Sequence, residues 1–283
     1  MKHTGNLSRT DQILPYIDTM SPDATVVIRC KDDERVFDCI ASIDESVEII
    51  VVMNPNEDME KRLRDIGVIC KHSPPGNLSI VSNIGFESAS ADKIIITDSD
   101  TIFGEKSISA LIDGLNDYAV VRSPLRFERK DDFLSRELAE ARDYVNSLPV
   151  VYTPGIAVSR TLPERIKGFL FDDAIPFAVD ANLNFRIQQE NVPVLYLENV
   201  WISHSAELVT HDLKAARRIG SGCRESSKRL VTLYPDIPET EIGYALKGVK
   251  RSHYYDLFKK KGFRVFLYQL LWDIAFYRGY YLD

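Results

Sequence analysis

The residues from Ile94 to Thr97 are strong β-formers and run directly into Asp98-Ser99-Asp100-Thr101. Side chains alternate along a strand, but a turn at its end breaks the alternation, so both carboxylates can converge on one cation. Hard divalent cations such as Mg²⁺ or Mn²⁺ take carboxylate oxygens and keep coordination sites for phosphates. Two close carboxylates otherwise repel, and a bound cation relieves that repulsion. An N-terminal helix cap accounts for one of the two aspartates, and leaves the pair after a strand unexplained.

A second chemistry uses a similar start. Phosphatases of the haloacid dehalogenase type follow a strand with D-x-D-x-T and attack phosphorus with the first aspartate. Here Thr101 follows Asp100 with no residue between them, and the motif comes after the fourth strand candidate instead of the first. Both points count against Asp98 as a nucleophile. Further along, Arg217 and Arg218, Gly220, Gly222 and Arg224 place glycines among basic residues. That composition suits a mobile loop closing over a diphosphate, or equally a helix break with solvated charge.

These residues need elements to position them. Short apolar runs at Ala24–Arg29, Val47–Met53, Gly67–Cys70, Lys93–Thr97 and Tyr118–Arg122 read as strands. Helix-period segments separate them at Glu34–Ile43, Glu57–Ile66, Leu78–Ser90 and Glu105–Leu115, with Asn77 as the expected cap of the third. Continuous apolar strands alternating with amphipathic helices predict a mostly parallel sheet flanked by helices, with ligands bound beyond the strand C-termini. In the second half, Asp131–Ser147 and Val179–Glu190 read as helices. Val150–Tyr152 and Ile156–Ser159 read as strands around a Pro154-Gly155 turn, Val192–Ile202 holds one or two strands, and His211 onward is mostly helical.

The ordered set resembles a family 2 glycosyltransferase with the GT-A fold. Thr25 to Glu34 (TVVIRCKDDE) resembles the first strand and nucleotide-contacting loop, and Glu48 to Met53 the second strand. Asn83-Ile84-Gly85, then Ala91 to Thr97, resembles the N-x-G segment that leads into D-x-D. The match covers about residues 24 to 204. It implies an α/β, Rossmann-like GT-A domain that moves a sugar from a nucleoside diphosphate, here a UDP-sugar, with inversion and with Mn²⁺ or Mg²⁺. Asp98 would contact the ribose or the metal, and Asp100 would hold the metal. Ser99 lies between them at the nucleotide. Arg29, Asp32 and Asn54 sit at strand ends expected to face base or ribose, and Asn83 would brace the nucleotide loop. Met53-Asn54 stands where the family often has an acidic pair, which puts the nucleotide identity in doubt.

The resemblance continues through Gly168 to Asp173 and Phe177 to Arg186. It implies that Asp180 is the general base that takes the acceptor hydroxyl's proton, with Asp172 and Asp173 in reserve. Val179 stands where a first acidic residue is usual. His204, after a strand candidate, would be a metal ligand beside the carboxylates. A non-catalytic protein that keeps the fold is the alternative those two departures leave open. A sugar-nucleotide pyrophosphorylase needs a glycine-rich loop that Arg29–Glu34 lacks.

The net charge of −7 excludes a dedicated nucleic-acid binder. It divides unevenly: residues 213–283 carry an excess of basic residues and much of the aromatic content, and residues 1–212 are acidic. The expected division is a catalytic domain over 1–212, with its nucleotide half at about 22–125 and its acceptor half at about 126–212. A helical, basic and aromatic extension follows over 213–283. In a helix, Phe263, Leu267, Leu270, Leu271 and Ile274 share one face, and Gln269 and Asp273 form a narrow polar strip. With Trp272, the tyrosines and the lysines, that face suits a membrane surface; packing on the body or on a second subunit, as a homodimer, is the alternative. The resemblance implies a lipid-linked or cell-envelope glycan acceptor. Unpaired cysteines and an N-terminus without an apolar core predict a cytoplasmic protein, peripheral on the cytoplasmic face of the membrane.

Overall fold

The computed structural model describes residues 22–131 and 133–283. Residues 1–21, which include the stretch expected to lack a signal core and the start of the expected catalytic domain, lie outside the described residues. The first half alternates as expected: β1 (Ala24–Arg29), α1 (Val36–Ala41), β2 (Glu48–Met53), α2 (Glu57–Asp65), β3 (Ile69–His72), α3 (Leu78–Ser88) and β4 (Lys93–Asp98). Next come β5 (Thr101–Phe103), α4 (Ser107–Gly114), β6 (Val120–Arg122), β7 (Leu125–Phe127), α5 (Ser135–Asn146), β8 (Ile156–Ser159) and α6 (Leu162–Arg165). The chain ends with α7 (Val179–Gln189), β9 (Val194–Tyr196), β10 (Ile202–His204), α8 (Val209–Leu233), α9 (Glu239–Leu246), α10 (Arg251–Lys261) and α11 (Phe263–Leu282).

Seven strands form the main sheet in the order β3-β2-β1-β4-β8-β6-β9. Pairing is parallel from β3 through β4 and between β6 and β9, and β8 runs antiparallel to both its neighbours. The apolar runs follow from burial on both faces. Val26 and Ile28 join Val51, Met53 and Ile95 in one core, while Val27 joins Ile50, Val52, Ile94 and Ile96 in the other. A strand covered on both sides has no polar face to alternate with. The cap at Asn77 is as expected, since its Oδ1 accepts from the Ile80 amide at 3.1 Å.

Strand order reverses at β1, whose neighbours β2 and β4 come from opposite directions of the chain, and such a switch point opens a crevice at the strand C-termini. The parallel register pairs Arg29 with Asp98 there. A second sheet, β5-β10-β7, is built from three-residue strands too short for periodicity to reveal. It pairs His204 with Thr101 and with Phe127, which brings the histidine to the end of β4.

Three expectations need correction. Residues 150–152 form no strand; the Val151 amide donates to Asn184 Oδ1 at 2.9 Å in place of a ladder bond. The helix expected from Asp131 starts at Ser135. The stretch with Arg217, Arg218 and Arg224 is no loop but the middle of the 25-residue helix α8, which also runs unbroken across the expected domain boundary. Its glycines serve packing. A Cβ at Gly220 would lie 2.0 Å from the Phe276 carbonyl oxygen, and one at Gly279 would lie 1.8 Å from the Arg217 carbonyl oxygen. Helices α8 and α11 therefore touch backbone to backbone. Alanine is ordinarily favoured over glycine in a helix by about 1 kcal/mol. Here Gly279→Ala is expected to destabilise the fold by about 1–3 kcal/mol, because the helices must part to admit the methyl group. Urea unfolding of the variant measures this.

Candidate active site

A cleft of about 640 Å³ opens over the C-terminal ends of β1 and β4. Its floor is an ion pair. Arg29 is buried and directs Nε to Asp98 Oδ1 at 2.7 Å, Nη1 to Ser82 Oγ at 3.4 Å and Nη2 to Thr153 Oγ1 at 3.2 Å. One guanidinium thus ties β1, β4, α3 and the loop before β8 together. Asn54, Ser99 and Arg218 also line the cleft, and Arg218 stacks its guanidinium 5.5 Å from the Phe177 ring centre.

Asp100 stands beside this floor with its side chain mostly buried. His204 Nε2 lies 3.5 Å from Asp100 Oδ2. The other ring nitrogen, Nδ1, is 2.9 Å from the Ser205 carbonyl oxygen. A carbonyl only accepts, so Nδ1 donates to it, and this bond orients the ring with Nε2 toward Asp100. Phe127 stacks on the imidazole at 4.7 Å. The backbone adds a clamp, since the Ser205 amide donates to the Asp100 carbonyl at 3.0 Å. Burial raises the Asp100 carboxyl above the ordinary aspartate range; Asp98 and Glu207 push the same way, while His204 and Arg35 oppose them.

One group among the described residues has the composition of a cation site: Asp100, His204 and Glu207 offer ligand atoms within 4.8 Å of one another. Two carboxylates and an imidazole suit Mn²⁺ or Mg²⁺. Asp98 is not one of these three, its Oδ1 being held by Arg29 at 2.7 Å, and Glu207, which the sequence did not single out, completes the group. Arg35, which is in addition to the expected set, extends across from Asp33, reaching Ser205 and lying 3.5 Å from Asp100 Oδ2. A cation entering this group meets that guanidinium as an electrostatic competitor.

Asp180 opens α7 and faces the same cleft. The preceding Ala178 adopts a left-handed conformation, φ 58°, which turns the helix start toward the cavity. The Ala181 amide donates to Asp180 Oδ1 at 2.9 Å. Burial pushes the carboxyl above its ordinary range, against the pull of that amide and of the nearby Arg29 charge. A partly open carboxylate that binds its proton tightly is a competent proton acceptor.

Four expected residues are elsewhere. Asp32 is exposed and accepts from Asn56 at 3.4 Å. Asn83 donates to the Phe171 carbonyl at 2.9 Å and to Asp173 Oδ1 at 2.8 Å, so it braces the loop before α7 and not the nucleotide segment. Arg217 pairs with Asp283. Arg224 lies further along α8 and does not line the cleft. The reserve carboxylates are also engaged: Asp172 pairs with Arg229 at 2.5 Å, and Asp173 holds Asn83.

No protein-family model matches the sequence, and no curated protein matches it. Solved structures do share its shape. S. aureus TarS 1–349, in complex with UDP-GlcNAc, aligns with a TM-score of 0.56 and 13% identity, over 90% of this chain and 81% of that one. Against the crystal structure of S. aureus TarS whose chain is longer, the TM-score is 0.52, over 91% of this chain and 54% of that one. Glucosyl-3-phosphoglycerate synthase from Mycobacterium tuberculosis, in complex with Mg²⁺ and UDP, aligns with a TM-score of 0.54 and 16% identity, over 72% of this chain and 79% of that one. At such identities the likeness carries the fold, which is GT-A with a helical C-terminal region.

Proposed function

We propose that the chain is an inverting, divalent-cation-dependent glycosyltransferase that moves a sugar from a UDP-sugar to a lipid-linked or cell-envelope glycan. The observation that carries this reading is the convergence in one cleft of a cation-type group, Asp100, His204 and Glu207, with a separate carboxylate on α7, Asp180. Sugar transfer from a nucleoside diphosphate uses the first to offset the charge of the departing diphosphate and the second to take the acceptor hydroxyl's proton. The phosphatase alternative needs Asp98 as nucleophile, and the Arg29 guanidinium on its Oδ1 at 2.7 Å makes that carboxylate a weaker one. The bound nucleotides of the two neighbours, UDP-GlcNAc and UDP with Mg²⁺, support a uridine nucleotide and a cation here.

In this reading residues up to about 125 hold the nucleotide, and residues 126–212 present the acceptor. Asp100, His204 and Glu207 hold the cation, which when bound offsets the charge of the departing diphosphate. Arg29 keeps Asp98 fixed for the nucleotide, and Arg218 extends from α8 toward the phosphates. Asp180 takes the acceptor proton while the acceptor oxygen forms its bond to the anomeric carbon and the bond from that carbon to the diphosphate breaks. The proton then passes from Asp180 to solvent.

A panel of UDP- and GDP-sugars, incubated with Mn²⁺ and separately with a chelator, tests this. The expected result is slow donor hydrolysis confined to one UDP-sugar and lost on chelation. Nucleotide binding without turnover of any donor would favour a non-catalytic protein.

A further inference from the structure

Helix α11 packs on the body with its polar strip inward. Its buried side presents Val265, Tyr268, Gln269, Trp272, Asp273 and Phe276. Asp273 is held by Tyr254 at 2.5 Å and by Lys247 at 3.3 Å, and Gln269 accepts from Arg142 at 2.8 Å. Trp272, expected from the sequence at an interface with lipid, is instead buried beneath the Arg142 guanidinium. The apolar face is therefore the outer one. Phe263 is 59% exposed, Leu271 48%, Ile274 67% and Tyr281 68%, with Leu267 and Leu270 between them. Soluble surfaces scatter such residues singly; here they form one continuous arc of a 20-residue helix.

The acids near this arc each face a base, Glu137 with Arg264 at 2.8 Å, Glu140 with Lys261 at 2.5 Å and Asp256 with Lys260 at 4.0 Å, so the balance left over is basic, from Lys259 and Arg278. Arg264 and Arg278 project from its edges, and Lys259, Lys260 and Lys261 close the preceding helix α10, next to exposed Phe258. The acidic residues of α11 are both engaged, Asp273 in the interior and Asp283 by Arg217. We infer that the outer face of α11, with the end of α10, is a docking surface for an anionic lipid leaflet, lying in the plane of the headgroups. Leucine, isoleucine and phenylalanine reach the acyl boundary, tyrosines sit at headgroup level, and arginine and lysine meet lipid phosphates. Among the described residues no helix is long and apolar enough to cross a membrane, so the contact is along the helix and not through the bilayer. A second copy fits less well, because the acids beside this face, Glu137, Glu140 and Asp256, already have basic partners on the same chain, which leaves Lys259 and Arg278 without an acid to meet on a two-fold-related copy. The inference goes beyond sugar transfer and stands or falls separately from it.

The test is co-sedimentation of the full chain with vesicles of phosphatidylcholine alone and of phosphatidylcholine mixed with phosphatidylglycerol. Wild type is expected on the anionic vesicles, with a partition coefficient about tenfold or more above that on neutral ones. The double variant L271D/I274D is expected to lose about tenfold or more on both, and Arg278→Glu to lose the anionic preference while keeping the apolar contact. All three substitutions are on exposed positions, so thermal melting should match wild type and UDP binding should be unchanged. Absence of wild-type protein from anionic vesicles overturns the inference. So does equal binding by L271D/I274D, or a dimer in light scattering that this variant dissolves without any effect on vesicle binding.

Discussion

Asp180→Asn is expected to transfer sugar about 10²–10⁴-fold more slowly than wild type while binding the donor as before. The substitution removes the proton acceptor and keeps the oxygen that accepts from the Ala181 amide. A loss in kcat with an unchanged donor dissociation constant separates a base from a residue that merely shapes the cleft. The same variant makes a second, opposite prediction about stability. Burial holds the Asp180 carboxyl above its ordinary value of 3.8 in the folded chain. The folded state therefore binds this proton more tightly than the unfolded state does. The stability so conferred is complete below the unfolded pKa and is lost as pH rises through the folded one. At neutral pH the ionised group is destabilising, and asparagine removes that penalty. Asp180→Asn should thus melt at a higher temperature than wild type at pH 7, with the difference shrinking toward pH 4. The rate of wild type should show an acid limb set by this group, rising as the proton leaves. A variant that is both inactive and less stable would place Asp180 among structural residues.

The alternation of strand and helix from Ala24 to Asp98 was readable because each strand is covered on both faces and shows as an unbroken apolar run. The register of Arg29 with Asp98 follows from that pattern once β1 and β4 are neighbours. The small sheet was not readable. Strands of three residues carry no period, and they decide where His204 and Glu207 lie. Glu207 had no sequence signal at all, since it follows β10 in an irregular segment and joins Asp100 only through the fold. Gly220 and Gly222 misled in an instructive way. Local propensity says that glycine breaks a helix, and close backbone contact overrides it, with α11 at Gly220 and with the Phe177 carbonyl before α7 at Gly222. Asn83 was expected to brace the nucleotide loop, but its partners, the Phe171 carbonyl and Asp173, are distant in sequence and had no local signal. The last helix shows a general limit. Periodicity told which residues of α11 share a face, and nothing local told which face turns inward; the buried partners Arg142, Tyr254 and Lys247 decided that.

Asp100→Asn is expected to reduce Mn²⁺-dependent UDP affinity by about a hundredfold, and to leave the weak affinity measured with a chelator unchanged. The reasoning runs through charge. Asp100, His204 and Glu207 form the group whose ligand atoms converge, and His204 is already aligned by its bond to the Ser205 carbonyl. Removing the Asp100 charge leaves Glu207, whose Oε2 lies 2.5 Å from His211 Nδ1, as the one carboxylate of the three. Arg35, 3.5 Å from Asp100 Oδ2 and also paired with Asp33, then faces any entering cation with less negative charge between them. Both changes weaken cation binding. Asp98→Asn should behave differently, because that carboxylate is bound to Arg29 and lies outside the convergent group; its loss should lower UDP affinity with and without Mn²⁺. Acidity adds a second signature. Burial raises the Asp100 carboxyl above its ordinary range, so protons compete with the cation and Mn²⁺-dependent UDP affinity should increase with pH through that range. Asn cannot titrate, and the Asp100→Asn protein should lose that part of the slope. Titration calorimetry with UDP, with Mn²⁺ and with chelator, at two pH values reads all of these. Metal-dependent UDP binding that survives Asp100→Asn at wild-type strength would remove the cation from this group and, with it, the reason for placing the diphosphate over the ends of β1 and β4.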